Sequence, residues 1–504
     1  MMRTKQIIIL LSLFFSITLS AQSNPKREFR GAWIHTVLQS QYSKMDNPQM
    51  RNYFDEMLDE LQKAGINALI FQVRPSADAF YKSSLEPWSR YLTGKQGVAP
   101  ASDWDPMRYL IEECHKRTME FHAWLNPYRV TVSANETLSP DHIYFKHPDW
   151  FVEYNKKIFF NPGLPQCRKF IRNVVIDILN RYDVDAIHMD DYFYPYPVAG
   201  LEFPDEDVFN AYHEVMGFNK SQKEDWRRQN VNILIKGIHD DIRATKPWVR
   251  FGISPFGIFR NLKSDPNGSQ TNGLQNYDDL YADILLWAKC GWIDYLIPQL
   301  YWEIGHRSAD YDILVHWWNQ HANQVPLYIG QSISRSLDNK QPLSVSDTHF
   351  CKKIDLTRQL EHIQGNCFWY GYQIMNNEDG ISDELQRKQH ASKAIIPAYT
   401  AIDDRRPDGV RKLKPRWTEK GYELQWQPKE TNDELQRPIY YCIYRFKKGE
   451  KRNLENADNL VATTPNNYYI LPYDNGKTRY TYVVTAVDRM HNESKKGKSE
   501  KVKL

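Results

Sequence analysis

The sequence predicts an α/β protein: a closed (β/α)8 TIM barrel over residues 28–400, followed by a small all-β sandwich over 405–504. Three observations carry this. Eight short apolar runs alternate with longer stretches of helical periodicity between about 29 and 400. Polar residues recur late in those runs, where a barrel opens its C-terminal mouth. In the last hundred residues the apolar pattern changes to period two.

The strands are expected at Arg30–Thr36, Asn67–Arg74, Glu120–Asn126, Ala186–Tyr192, Arg250–Phe256, Tyr295–Trp302, Pro326–Ser332 and Asn366–Gln373. Between the first two, Met50, Tyr53, Phe54, Met57, Leu58 and Leu61 recur at helical spacing, and Gly65 stands where that helix should stop. Asp105-Pro106 reads as an N-cap followed by proline at the first helical position. A doubly wound open sheet would want a glycine-rich phosphate turn after its first strand, and the sequence has none there. The connections after the second and third strands, 74–105 and 127–164, are long enough to wall a cleft on the C-terminal face.

Residues 405–504 carry 22 basic and 13 acidic side chains, against 41 and 49 over 22–404. That change, with the polar, turn-rich stretch 403–409 at its start, marks a domain boundary. Beyond it Tyr422, Leu424 and Trp426 alternate with polar residues, as do Tyr480, Tyr482, Val484 and Ala486, the pattern of antiparallel strands. At the other end Arg3 and Lys5 precede an apolar run to about Leu19, and Ala21 is small enough for cleavage. Residues 1–21 therefore read as a signal peptide, with a periplasmic or extracellular product and no stable membrane insertion after cleavage. Over the whole chain 65 basic residues nearly balance 62 acidic ones, which argues against a general nucleic-acid binder. Six scattered cysteines without a C-x-x-C pair do not fit a zinc site and read as free thiols.

Inward positions of barrel strands are normally branched and apolar, so polar residues on that parity near a strand's end call for a reason. Gln72 and Arg74 share a face of the second strand, His122, Trp124 and Asn126 of the third, and His188 and Asp190 of the fourth. Gly252 and Ser254 follow on the fifth, and Gln299, Tyr301 and Glu303 on the sixth. Asp190 stands out, because an inward carboxylate is costly unless it is hydrogen-bonded or used. Asp191 follows where the chain leaves the strand, suited to binding substrate or holding the loop. Asp190 and Glu303 together suit glycoside hydrolysis, in which one carboxylate attacks the anomeric carbon or activates water and the other protonates the leaving oxygen.

Gln72, Arg74, Asn126, Arg129, His188, Asp191, Tyr192, Gln299 and Tyr301 are the expected substrate contacts. Trp124 and Trp302 are expected to stack on sugar rings, whose C–H faces suit aromatic planes. Trp33 and Trp369 read as core packing, and His188 as a group that orients Asp190 or bonds a hydroxyl. His35, His122 and His188 lack the spacing of a metal site, so no metal and no cofactor are expected. The alternatives are a non-catalytic glycan-binding barrel and a metal-dependent hydrolase.

The segments EFRGAWIHTV, FQVRPSADAFYKSSLEPWSRYLTG, FHAWLNPYR, VDAIHMDDYFYPYP, RFGISPFGI, YDDLYAD and GWIDYLIPQLYWEIG resemble the glycosyl hydrolase-like 10 family over about 28–390. The resemblance implies a barrel glycosidase. A characterised class of members cleaves peptidoglycan glycan strands that have lost their stem peptides, so a polysaccharide of that kind is the implied substrate. The stretch DAIHMDDY also resembles the fourth strand of α-galactosidase-like barrels. That likeness implies Asp190 as nucleophile and Glu303 as acid/base of a retaining mechanism, with carboxyl groups about 5–5.5 Å apart. The chitinase-like family 18 pattern DGxDxDxE, whose final Glu is the acid and whose nucleophile is the substrate's own acetamide, fits Asp185 and Asp190, but His188 replaces its middle Asp and Tyr192 its acid, and the loss of the acid argues against that mechanism here. The run YTYVVTAVDRMHNES resembles the last strands of a fibronectin type III domain, which implies such a module over 405–504.

Overall fold

The computed structural model describes residues 24–337, 349–495 and 497–504. The signal peptide expected over 1–21 lies outside them. The strands of the first domain are β1 (Phe29–Ile34), β2 (Ala68–Arg74), β3 (Glu120–Leu125), β4 (Phe151–Tyr154), β5 (Lys157–Phe160), β6 (Ala186–Met189), β7 (Arg250–Ile253), β8 (Tyr295–Leu296), β9 (Leu327–Ser332) and β10 (Ile363–Trp369). Eight of them close a barrel in the order β1-β10-β9-β8-β7-β6-β3-β2, while β4 and β5 pair as a separate hairpin in the loop after β3. Every neighbouring pair around the barrel is parallel.

All eight barrel strands read from the sequence are present, but six end before the expected residue, and β6, β7, β8 and β10 do so by three residues or more. β6 stops at Met189, so Asp190 and Asp191 stand on the loop that leaves it. β8 is two residues long, because Pro298 has no N–H to give the ladder. β10 gives way to a helix at Gly371–Met375 instead of running to Gln373.

Helices fill the outer layer. The helix Asn47–Lys63 starts at a capping box, in which the Asp46 carboxylate accepts from Gln49 N and the Gln49 side chain accepts from Asp46 N. It ends before Gly65, whose φ of 83° a side chain would resist. Its Phe54, Met57, Leu58 and Leu61 bury against the outward residues Leu69 and Phe71 of β2. Asp105 caps the helix Pro106–Lys116 as the sequence indicated.

The barrel interior is aromatic and polar. Phe29 stacks on Tyr328 with ring centroids 4.0 Å apart, and Tyr295 fills the space above Gly252. Lower down, a buried salt bridge joins Arg250 to Glu120, and the Arg250 guanidinium lies 4.3 Å from the Tyr399 ring centroid.

The second domain has β11 (Arg411–Thr418), β12 (Gly421–Gln427), β13 (Pro438–Lys447), β14 (Leu460–Thr464), β15 (Tyr468–Ile470), β16 (Arg479–Asp488) and β17 (Lys498–Lys503). They form two sheets, β11-β12-β15 and β14-β13-β16-β17. Leu424, Trp426, Ile443, Tyr482 and Val484 pack between them. The other face of β13 is buried too, its Tyr440, Cys442, Tyr444 and Phe446 packing with Ile395.

That second face closes the N-terminal end of the barrel. His491 binds Glu120, Met490 packs with Phe29, and Met490 O accepts from Tyr399 N at 2.9 Å. Lys26 pairs with Glu493 at 2.6 Å and Arg489 with Asp183 at 3.1 Å. All six cysteines are free thiols. Among the described residues no helix is long and apolar enough to cross a membrane.

Candidate active site

The loops at the C-terminal ends of the strands enclose a cleft of about 610 Å³, within the range of ligand-sized pockets. Of the side chains expected to meet substrate, Gln72, Trp124, Arg129, Asp191, Tyr192, Gln299, Tyr301 and Trp302 line it, and so does Asp190. Trp33, His35, Tyr196, Ser254, Phe256, Trp369 and Tyr370 complete most of the wall.

Asp190 is held by donors on the β3 side. Its Oδ2 accepts from Asn126 Nδ2 at 2.5 Å and from Trp124 Nε1 at 3.3 Å, and its Oδ1 from Tyr192 N at 3.3 Å. The Asn126 amide has its orientation fixed, because its Oδ1 accepts from Gln72 Nε2 at 2.6 Å and from Arg129 Nη2 at 2.7 Å. Only its NH2 is left to face Asp190. Gln72 is fixed in turn, since its Oε1 accepts from Thr36 N and Val37 N at 2.9 Å. Arg129 donates to Pro75 O at 2.9 Å and lies 5.5 Å from the Tyr192 ring centroid.

Consecutive residues point opposite ways, and Asp191 leaves β6 toward the other wall. Its Oδ2 accepts from the Tyr196 hydroxyl, and that ring stacks on Tyr192 with centroids 5.2 Å apart. Both carboxyl groups are buried. Burial raises the Asp190 carboxyl above its ordinary range, offset in part by Arg129 and the Asn126 amide. Burial, and then the neighbouring Asp190, push Asp191 up to about 7, against hydrogen bonds from Tyr196 and Gln299. The pair therefore offers one proton acceptor and one acid that keeps its proton near neutrality, the division of labour that glycoside hydrolysis uses.

Four expected site residues, the catalytic candidate Glu303 and three expected contacts, are placed elsewhere. Glu303 does not line the cleft. The chain turns after Trp302, with Glu303 O accepting from His306 N and Tyr311 N, and its carboxylate supports the charge of the buried Lys353. Arg74 is fully buried in a forked ion pair with Glu86, and its Nη1 donates to the carbonyls of Asn126 and Pro127. It braces the loop that carries Asn126 and does not reach substrate. Asn126 sits behind Asp190 as its donor.

His188 does not touch Asp190. Its Nε2 accepts from Trp33 Nε1 at 3.3 Å and lies 3.0 Å from Ser254 Oγ, while Nδ1 lies 3.1 Å from the Tyr295 hydroxyl. An indole can only donate, so His188 carries its proton on Nδ1 and gives it to Tyr295. The Tyr295 hydroxyl then donates to His122 Nδ1 at 2.8 Å, and His122 Nε2 donates to Glu120 at 2.9 Å. Trp33 at the top and the Glu120 carboxylate at the bottom demand the same polarity. Burial holds both histidines below their ordinary values and hence neutral.

Trp33 and Trp369, read from the sequence as core, are cleft walls. Trp33 and His35 share a parity at the end of β1, the signal that marked the other strands. Burial lowers His35 to about 4, and its Nδ1 is buried with no hydrogen-bond partner among the described residues.

Comparison with known proteins agrees with this architecture. The glycosyl hydrolase-like 10 model matches residues 28–345. The chain belongs to that family. It is 40% identical over 499 residues to glycosyl hydrolase YngK of Bacillus subtilis (strain 168), across 97% of this chain and 96% of that protein. It is 37% identical over 323 residues to glycosyl hydrolase DigH of Escherichia coli (strain K12), across 60% of this chain and 72% of that protein. The glycoside hydrolase domain of PgaB from Bordetella bronchiseptica aligns with a TM-score of 0.49 at 10% identity, over 71% of this chain and 98% of that one, a likeness too remote to bear on substrate. As a member of the glycosyl hydrolase-like 10 family, the protein is a TIM-barrel glycoside hydrolase.

Proposed function

We propose that the protein is exported and cleaves glycosidic bonds in the glycan strands of peptidoglycan from which the stem peptides have been removed. The observation that carries this is the pair of buried carboxyl groups, Asp190 and Asp191, opening into a cleft walled by Trp33, Trp124, Trp302 and Trp369. Asp191 is the general acid that protonates the leaving oxygen, and Asp190 is its ionised partner. Gln72, Asn126 and Arg129 hold Asp190 in place, while the aromatic walls take the apolar faces of the sugars. A binding protein would have no use for two adjacent carboxyl groups held out of water, an arrangement that costs stability and is typical of catalysis.

The test is to incubate the full-length protein with peptide-free glycan strands and follow new reducing ends. The wild type should release them. Asp190→Asn and Asp191→Asn should each slow release by about 10²–10⁴-fold while keeping the far-UV spectrum and strand binding of the wild type. Wild-type rates in both variants, or no release by the wild type, would end this reading.

A further inference from the structure

We infer that the nucleophile at this cleft belongs to the substrate: the carbonyl oxygen of a 2-acetamido group attacks the anomeric carbon, Asp191 is the acid, and Asp190 holds the acetamido N–H. This rests on the glycan reading above and adds the identity of the attacking atom.

The first ground is the placing of the carboxyl groups. A retaining site with a protein nucleophile needs two carboxyl groups flanking the scissile bond, about 5–5.5 Å apart. Here the carboxyl groups among the described residues lining the cleft are those of Asp190 and Asp191, consecutive at the end of β6. The ends of β1 and β10 bring Trp33, His35, Trp369 and Tyr370 to the cleft and no carboxyl group.

The second ground is the state of Asp190. Three donors, Asn126 Nδ2, Trp124 Nε1 and Tyr192 N, already occupy its oxygens. They spread its charge and blunt it as a nucleophile. What remains is acceptor capacity for one more N–H.

The third ground is the wall beside it. Trp369 stands edge-on to Trp33 and to Trp124, with centroids 6.4 and 6.0 Å away. The indole N–H of Trp33 is given to His188 and that of Trp124 to Asp190, so neither is free to meet a ligand. The faces that Trp33 and Trp124 leave toward the cleft therefore offer carbon to whatever enters. An acetamido methyl loses nothing there, whereas a C2 hydroxyl would be stripped of water without a partner.

In the first step Asp191 gives its proton to the glycosidic oxygen as the bond from C1 to that oxygen breaks. A lone pair of the acetamido oxygen forms the new bond to C1, giving an oxazolinium ring whose N–H is bound by the Asp190 carboxylate. In the second step water, deprotonated by Asp191, adds to C1, and the ring C–O electron pair returns to the acetamide. Asp191 ends protonated, the acetamide is intact, and the anomeric configuration is retained. The family 18 pattern loses its acid at Tyr192, but Asp191 supplies one from the preceding position.

The experiment compares peptide-free strands in four forms: native, N-deacetylated, re-N-acetylated, and N-trifluoroacetylated. The full-length protein should cut deacetylated strands about a thousandfold or more slower than native ones. Re-acetylation should restore the rate. Trifluoroacetylated strands, uncharged but weakly nucleophilic, should bind like native ones and turn over at least about tenfold slower. Asp190→Asn should lower kcat with little change in KM. Equal rates on native and trifluoroacetylated strands, or a glycosyl ester isolated on Asp190, would overturn the inference and leave the glycan reading standing. No cleavage of native strands would remove both.

Discussion

The Tyr295 ring occupies the space that a β-carbon on Gly252 would need, its Cζ lying 1.8 Å from that position. Neighbouring barrel strands β7 and β8 are thereby matched, with one supplying no side chain so that the other can place a phenol on the barrel axis. Its hydroxyl joins the two histidines of the chain Glu120–His122–Tyr295–His188. Gly252→Ala is therefore expected to cost at least about 1–3 kcal/mol through overpacking. It should also lower activity, because the displaced phenol no longer supports His188 beneath Ser254. Thermal unfolding and turnover of the purified variant measure both, and an unchanged Tm would contradict the packing argument.

Asp191 should set the alkaline limb of the pH profile. Activity needs Asp191 protonated and Asp190 ionised, so kcat/KM should fall as pH rises through about 7 and fall again in acid as Asp190 takes a proton. Asp190→Asn removes the neighbouring charge that helps Asp191 keep its proton. The residual activity of that variant should then lose its alkaline limb at lower pH than the wild type. A limb that does not move would separate Asp191 from the proton transfer.

The same shift is a statement about stability. A carboxyl raised to about 7 from its unfolded value near 4 binds its proton more tightly in the folded state. It costs nothing below pH 4, and its cost grows as pH rises from 4 through 7. Asp191→Asn should consequently raise Tm by about 2–4 °C at pH 8, with the gain fading toward pH 4. Melting curves of wild type and variant across that range test the sign.

Glu303→Gln should leave turnover within about twofold of the wild type, under half a kcal/mol in barrier, because the side chain lies outside the cleft wall. Its effect should fall on Lys353, which burial lowers to about 8 and the Glu303 carboxylate supports. A loss of a hundredfold or more in a folded Glu303→Gln protein would return it to the mechanism.

Glu120→Gln is expected to destabilise the whole chain by about 3–5 kcal/mol, since it strips the Arg250 guanidinium of its buried counter-charge. Burial alone would raise the Glu120 carboxyl, but Arg250 and His491 hold it well below the ordinary range. Because both domains contribute, chemical denaturation should still show one transition, shifted to lower denaturant. Two separated transitions in the variant would mean that the domains were coupled through this site above all.

Much of the site was legible because strand parity is a local rule. Gln72, Trp124 and Asp190 sit where alternation along β2, β3 and the end of β6 puts them. The rule failed at Glu303 for a local reason as well: the last bridges of that strand are at Gln299 and the chain turns after Trp302, so alternation no longer governs where Glu303 points. Arg74 was misread because its partner, Glu86, lies in a loop that sequence spacing does not bring to it. Trp33 and Trp369 were misread because an apolar residue at a strand end looks the same whether it faces a neighbouring ring or a ligand. The docking of the sandwich left one trace, the run Tyr440 to Phe446, in which both parities are apolar apart from Arg445. A strand buried on both faces reads that way, and period-two reasoning saw only one of them.

Glu120 and Arg250 lie in the first half of the chain, yet the histidine that completes their cluster arrives only at position 491. A nascent barrel therefore carries an unfinished floor until the second domain has been delivered. Chains shortened from the C-terminus would leave those charges facing water and the lower aromatic layer uncovered, so the enzyme should mature late and all at once.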